Sequence, residues 1–433
     1  IKRSVIPGLA KILTRVMSWY RKLLSVLLFL PNITLGTNTP GLGRPEIFPW
    51  ASLFVLRKDL RLTLGYILFA GYLGLSFAVH TAQTGDFITG FRSILALINA
   101  SVAFFAIIRV KDDEFRVLNW AFIGVFAANV LVSLMQNFGL FPEQLVRPMR
   151  FFIDRFEATP MGYGRGVGGL FAEPSYLALG IHHYFAYAML LFKVEQKKAF
   201  GLALTAAMAL YDILIIRSAT GFTIMVVYFL SHQNWRTAWK GMLFLAATGA
   251  TVLYFAGEVA ELPRSLDIAY NVLYRQNFDD IFTYITYEGG IRIVSLLSCY
   301  PFGIAHPLGW GVGSWPGASI SAMLEVGLSE IEVAFFEGYS PYDGFRPTAY
   351  SADLFLEAGV VGWILFALAL GPYVTQKAMW RDPNTRAIVV IFLFNMLILG
   401  TIGDPLPFVF LALAYRSINP PTTDHEPIPT SSS

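Results

Sequence analysis

The sequence predicts an all-α, polytopic membrane protein with ten to twelve transmembrane helices and a large, partly helical loop on the outer side. Three observations carry that prediction. Of the 433 residues, 55% are hydrophobic and only 14% are charged, whereas a soluble domain is roughly 25% charged. The apolar residues come in runs able to cross roughly 30 Å of hydrocarbon at about 1.5 Å per helical residue. Lysine and arginine are also divided unevenly between alternate loops, as the positive-inside bias requires.

The elements follow in chain order. Residues 1–22 alternate basic side chains (Lys2, Arg3, Lys11, Arg15, Arg21, Lys22) with apolar ones, the pattern of a helix lying on a membrane surface. No signal peptide with a cleavage site is expected there. Two short apolar segments, 23–30 and 47–56, are joined by a Pro/Gly-rich loop and either span or form a hairpin. Clearer spans lie near 62–80, 93–109, 117–138, 175–192, 199–216, 219–231, 241–257, 350–374 and 387–403. A last short run, 406–415, follows Gly403-Asp404-Pro405. Residues 419–433, rich in Pro, Thr and Ser, read as a disordered cytoplasmic tail. The chain thus divides into membrane helices with an outer loop at 139–174 (1–257), a large outer loop (258–349) and carboxy-terminal membrane helices (350–418).

With the amino end cytoplasmic, 21 of the 32 basic residues fall inside and 11 outside, and all 11 outside are arginines. A hairpin in place of either short pair of crossings leaves every later loop on the same side. Arginine offers a permanently charged planar fork that grips phosphate or carboxylate through two parallel hydrogen bonds, whereas lysine is a strongly hydrated point charge. An outer face without lysine but with eleven arginines therefore points to anion recognition. The alternative is that topology excludes lysine and the arginines pair with acids or lipid headgroups.

Composition also excludes. A net charge of +3 with no basic tract does not suit nucleic acid. One cysteine, Cys299, rules out an intrachain disulfide, and no clustered Cys/His set offers a zinc site. No metal or cofactor is expected.

The polar stretch around which the chain is organised is Gly162-Tyr-Gly-Arg165-Gly-Val-Gly-Gly-Leu-Phe-Ala-Glu173-Pro-Ser-Tyr176. Its glycines permit close backbone approach, and Pro174 suits the first turn of a helix. Glu173 then stands at the helix mouth beside Arg165, as a base, as a dipole-favoured helix-start residue or as the structural partner of that arginine. Arg217 opens Arg-Ser-Ala-Thr-Gly221 at the outer end of a span, and Asp212 lies within that span. An intramembrane acid is a candidate functional group; a structural pair with Arg217 is the other reading. In the large loop, Arg292 precedes Gly303 by ten intervening residues, and His306-Pro-Leu-Gly-Trp-Gly311-Val-Gly313 follows. Residues 291–297 are apolar enough for a helix against the membrane, and His306 also reads as a plain turn residue. Asp353 and Glu357 stand one helical turn apart at the start of the 350–374 run, as proton-transfer groups or as markers of helix entry.

In this order and on one side, the outer arginine before Phe-Ala-Glu173-Pro-Ser-Tyr176, the Arg217-Ser-Ala-Thr-Gly221 turn, Arg292 leading to His306-Pro-Leu-Gly-x-Gly-x-Gly313, and Leu-Glu357-Ala-Gly359-Val-Val-Gly362 resemble the O-antigen ligase and polymerase superfamily. The resemblance covers about residues 165–362. It implies a metal-independent glycosyltransferase of GT-C type in a bacterial inner membrane. The partners it implies are the lipid bilayer, undecaprenyl-pyrophosphate-linked oligosaccharides at the periplasmic face and a chain-length regulator. Ligases of the family carry a histidine nine residues before the acid matched by Glu357; here that position is Thr348, which favours polymerase over ligase. A lipid-linked sugar flippase is the alternative of a different class, and no internal repeat of the kind transporters carry is visible. The chemistry requires arginines for the departing pyrophosphate, with Arg165, Arg217 and Arg292 first and Arg346 and Arg147 next. It also requires a base, with Glu173 first, then Asp343, Glu357 and His306. Tyr176 completes the expected contacts to sugar or pyrophosphate.

Overall fold

The computed structural model describes residues 22, 23, 25–30, 62–153, 155–160, 166–193, 198–232, 270–275, 291–328, 344–400 and 402–420, with a few isolated positions between 251 and 284. The surface helix over 1–22, the segment 47–56, most of the span 241–257, Arg165, Asp343 and the tail lie essentially outside the described residues. Those described form an all-α polytopic membrane protein with no strand among them.

The helices are α1 (Leu64–Thr84), α2 (Phe87–Ile107), α3 (Asp112–Asn137), α4 (Glu143–Phe152), α5 (Pro174–Leu191), α6 (Lys198–Tyr211) with a π-helical turn Asp212–Ile216, and α7 (Ala219–His232). They continue with α8 (Ile291–Ala305), α9 (Trp315–Glu325), α10 (Tyr350–Val374), α11 (Lys377–Arg381), α12 (Pro383–Phe394) extended by a π-helical turn Asn395–Leu399, and α13 (Leu406–Ile418). A further π-helical turn is Asn271–Arg275. By length and composition, α1, α2, α3, Ala199–Ile216 and α10 are each able to cross a membrane, and α7, α8, α12 and α13 are shorter apolar helices. The observed helices fall on the expected spans. The outer loop over 139–174 differs in containing α4, and the helix expected over 291–297 runs on to Ala305 through Pro301.

The centre of the bundle is α5 packed against α7, α12 and α13, with α2 on α13 and α1 between α2 and α10. Helix α5 is buried from Leu177 to Met189 because it is apolar or small on every side. Phe122, Tyr184, Tyr187 and Phe410 form its aromatic packing, with ring centroids 5.0–5.8 Å apart. The short segment 25–30 joins this core: Phe29 is fully buried and its carbonyl accepts from the Tyr184 hydroxyl. Two adjacent histidines, His182 and His183, are buried in α5. Each Nδ1 hydrogen-bonds the carbonyl four residues earlier, Ala178 and Leu179, and each Nε2 has no protein partner.

One end of the bundle is tied by Arg416, which is almost wholly buried. It donates to the Val110 carbonyl over 3.1 Å, pairs with Asp112 and lies over the Phe115 ring. At the same end Arg386 donates to the Ser231 carbonyl at the last turn of α7.

Helix α10 corrects the single straight span expected over 350–374. Tyr350 and Phe366 have ring centroids 4.9 Å apart, although sixteen residues of straight helix would separate them by about 24 Å. Phe355 meets Trp363, and the Trp363 indole N–H donates to Ser351 Oγ over 3.3 Å. The chain therefore turns back on itself at Gly359, which has φ 63° and ψ −171°. Only glycine takes such a conformation readily. A reversal inside a bilayer leaves carbonyls and N–H groups without helical partners, which is tolerated only when other protein satisfies them. The loop after α8 does so: Trp310 N–H donates to the Leu356 carbonyl (3.2 Å), Gly311 N–H to the Glu357 carbonyl (2.9 Å) and Val361 N–H to the Pro307 carbonyl (3.1 Å). From α1, the Tyr72 hydroxyl reaches the carbonyls of Leu308 and Ala358 at 3.0 and 3.1 Å. Helices α8 and α9 pack on the first half of α10, and the second half descends along α1.

Candidate functional site

The residues of interest gather at the end of the bundle opposite Arg416 and Arg386. There the π-helical turn Asp212–Ile216 ends in Arg217, and α7 starts two residues later. Arg217 is held at φ 50°, ψ 43°, a left-handed conformation costing a non-glycine residue of order 1–3 kcal/mol. Its backbone N–H donates to the Asp212 carbonyl over 2.8 Å and its Nε to the Leu214 carbonyl over 2.9 Å. The first turn of any helix has N–H groups without intrahelical acceptors. In α7 that turn carries Thr220, whose Oγ1 accepts a hydrogen bond from Arg292 at the start of α8. Two arginines 75 positions apart in the chain are thereby brought to one helix N-terminus.

The glycine-rich stretch closes on the same turn. Val167 N–H donates to the Ile215 carbonyl over 3.2 Å, and a Cβ on Gly166 would overlap the carbonyls of Ile215 and Ile216. The backbone one position after Arg165 thus lies against the residues that precede Arg217. The rest of the stretch is seated on α3. Gly169 N–H donates to Gln136 Oε1 and Leu170 N–H to Asn129 Oδ1, both over 2.8 Å. Gly169, at φ 58°, has room for no Cβ, which would lie 2.5 Å from both Asn129 Oδ1 and Ser133 Oγ. Asn129, Ser133 and Gln136 were not singled out from the sequence. Their signal was there as a polar stripe at i, i+4 and i+7 on an otherwise apolar span.

Glu173 stands at the N-cap of α5 as expected, but its partner is different. The carboxylate pairs with Arg155, an arginine held at φ 56° in the loop after α4; the pairing considered with Arg165 falls on a residue outside those described. Tyr176 is half-buried and packs on the hydrophobic core. Arg147 is exposed on α4. His306 pairs with Glu325 over 2.9 Å and lies against the rings of Phe302 and Trp310, which makes it part of the α8–α9 turn.

A second polar group lies under the α10 reversal. Glu357, fully buried, accepts from Ser93 Oγ of α2 over 2.9 Å and from Gly313 N–H over 3.0 Å, both on Oε1. Asp353, also fully buried, lies 3.8 Å from Arg346 NH2 and accepts no hydrogen bond on either oxygen. Asp353 does stand in the first turn of α10, as a helix-entry acid would, and both it and Glu357 one turn on are interior groups, because the first half of α10 is enclosed by α2, α8 and α9. Phe345, the residue before Arg346, shares a buried cluster with Val294 of α8, and the Arg346 side chain itself is directed to Asp353.

No protein-family model matches the chain, and no curated protein sequence matches it. The chemical capacity of the site rests on its own residues. A helix N-terminus flanked by two arginines and a threonine hydroxyl has the donors and the positive potential that an anion would need.

Proposed function

We propose that this chain is a membrane glycosyltransferase that polymerises undecaprenyl-pyrophosphate-linked oligosaccharide repeat units at the periplasmic face of a bacterial inner membrane. The observation that carries the reading is the meeting of Arg217, Arg292 and Thr220 at the N-terminus of α7, beside the Gly166–Val167 backbone that leads from Arg165. In this reading the hydroxyl of one repeat unit attacks the anomeric carbon of another, and undecaprenyl pyrophosphate departs. The charge that grows on the pyrophosphate meets donors fixed in advance, and one such donor typically lowers a barrier by about 2.7–4 kcal/mol. Arginine is suited because its fork binds two phosphate oxygens at once.

Substitution of Arg217, Arg292 or Arg165 by alanine tests the proposal. Each variant should insert normally and lose about 10²–10³-fold in polymer formation. Polymer of normal length from all three would refute it. A flippase is a second reading, favoured by one observation: α10 is broken inside the membrane beside buried acids, as in many transporters. Proteoliposomes supplied with lipid-linked repeat units separate the two, since a transferase yields polymer ladders and a flippase only moves its substrate across.

A further inference from the structure

The arginines and the α7 N-terminus account for the leaving group but leave the proton of the attacking hydroxyl without a destination. Glu173 is occupied by Arg155. The acid that faces the α7 turn is Asp212. It begins the π-helical turn that ends at Arg217, it is 3% exposed, and its Oδ1 has no hydrogen-bond partner. Its carboxylate lies directly against the first turn of α7. A Cβ on Gly221 would overlap Oδ1 and stand 2.9 Å from Cγ and 3.0 Å from Oδ2. Gly221 is thus the residue that lets the carboxylate approach the helix start, next to the Thr220 that receives Arg292. No side-chain ion pair joins Asp212 to Arg217. The arginine's Nε is directed to the Leu214 carbonyl, so the structural pair considered from the sequence does not account for the acid. A π-helical turn is a frequent feature of functional sites, and this one sets the carboxyl and Arg217 at opposite ends of five residues.

We propose that Asp212 is the proton acceptor of the transfer reaction, facing the anion site across Gly221. This rests on the function proposed above. In the step, the acceptor hydroxyl oxygen bonds to the anomeric carbon as the bond from that carbon to the pyrophosphate oxygen breaks. The bonding electron pair leaves on pyrophosphate, whose charge is met by Arg217, Arg292 and the α7 N-terminus. The hydroxyl proton passes to Asp212 Oδ1 and later to water. No oxidant, reductant or further reactant is needed.

The test uses the full chain in lipid nanodiscs with undecaprenyl pyrophosphate as the binding probe, together with the polymer ladder made when the native allele is replaced. Asp212→Asn should bind the probe at least as tightly as the native chain, because a negative charge beside the anion has been removed. It should lose about 10²–10⁴-fold of its polymer, the usual contribution of a general base. Asp212→Glu should retain a detectable ladder. Gly221→Ala keeps the acid but displaces it, and should lose polymer likewise, which covers the case in which Asp212→Asn does not insert. A ladder of native intensity from Asp212→Asn or Gly221→Ala would overturn the assignment, as would probe binding lost in a well-folded Asp212→Asn. Failure of the native chain to bind undecaprenyl pyrophosphate would remove the proposed function and the role of Asp212 with it. Native binding with an unaffected Asp212→Asn ladder removes only the latter.

Discussion

Replacing Gly359 by alanine distinguishes a folded-back α10 from a straight one by sign. In a straight transmembrane helix the change would be stabilising, since alanine is favoured over glycine in helix interiors by about 0.8–1.0 kcal/mol. In the folded-back form two costs arise. The left-handed φ of 63° costs alanine about 1–2 kcal/mol. The new Cβ would also overlap the Pro307 carbonyl and lie 2.5 Å from Gly309 N, backbone atoms that no rotamer change can move. Displacing the 306–311 loop loosens its three hydrogen bonds to Leu356, Glu357 and Val361, each worth about 0.5–1.5 kcal/mol. The sum is a destabilisation of about 3–6 kcal/mol, read as reduced thermal stability of the detergent-solubilised protein and lower yield of monodisperse material. A companion measurement probes the geometry itself. Cysteines at 351 and 363 should be joined by a short bifunctional thiol cross-linker, because the contact of Ser351 Oγ with Trp363 Nε1 at 3.3 Å puts the two positions within one tryptophan side chain of each other, whereas a straight helix would hold them about 18 Å apart. Stabilisation by Gly359→Ala together with failure to cross-link would refute the reversal.

Other outcomes follow from the same geometry. Gly169→Ala should destabilise by about 2–4 kcal/mol through its left-handed φ and its overlap with Asn129 and Ser133, and Gln136→Ala by about 1–3 kcal/mol through the unpaired Gly169 N–H; unchanged unfolding of both would show that the glycine-rich stretch is not seated on α3. Glu173→Gln should keep most of the polymerising activity, because its carboxylate serves Arg155, and Arg155→Ala should cost no more than about 1 kcal/mol as a partly exposed pair. A loss of activity above 10²-fold on Glu173→Gln with normal stability would restore Glu173 as the base. Asp86, between α1 and α2, accepts from Thr89 N–H over 3.0 Å, and hydrogen bonds from Thr89 hold its carboxyl below the ordinary value. A lowered carboxyl contributes stability that is present above its unfolded pKa of about 3.9 and is lost as pH falls through the folded value. The destabilisation by Asp86→Ala, at most about 1 kcal/mol for this exposed cap, should therefore be seen at pH 7 and fade below about pH 4.

The long helices were legible because each is a continuous apolar run of the length a bilayer demands, as in α1, α2 and α3, and the shorter ones through to α13 because their apolar runs are bounded by Gly, Pro or charge. The fold-back of α10 was not. A largely apolar run of 25 residues satisfies the hydropathy of one tilted span and of two short halves alike, and only the conformation of Gly359 separates them. Arg217 and Arg292 could be selected from the sequence because arginine on an outer face has a specific chemistry. Their meeting through Thr220 could not, since nothing local joins positions 217 and 292. The pairing of Glu173 with Arg155 was hidden for a related reason. Arg155 stands eighteen positions before Glu173, and loop-closure entropy grows so slowly with length that sequence separation does not single out a partner. Asp353 and Glu357 were visible, but their burial was not, because two acids one turn apart look the same on a helix entering the membrane and on a half-helix enclosed by protein.

The reversal at Gly359 also bears on how the chain is made. An insertion machinery that reads apolarity sees in Tyr350–Val374 a competent span, so the final form depends on something that intercepts it. The segment that does so, Pro307 to Gly311, lies about 45 residues earlier in the chain and so leaves the ribosome first. At roughly 5–20 residues per second the turn has a few seconds to settle before its client emerges. Order of synthesis thus supplies the template before the strand of sequence that must fold upon it, and a circular permutant placing 350–374 ahead of 306–313 would lose that advantage.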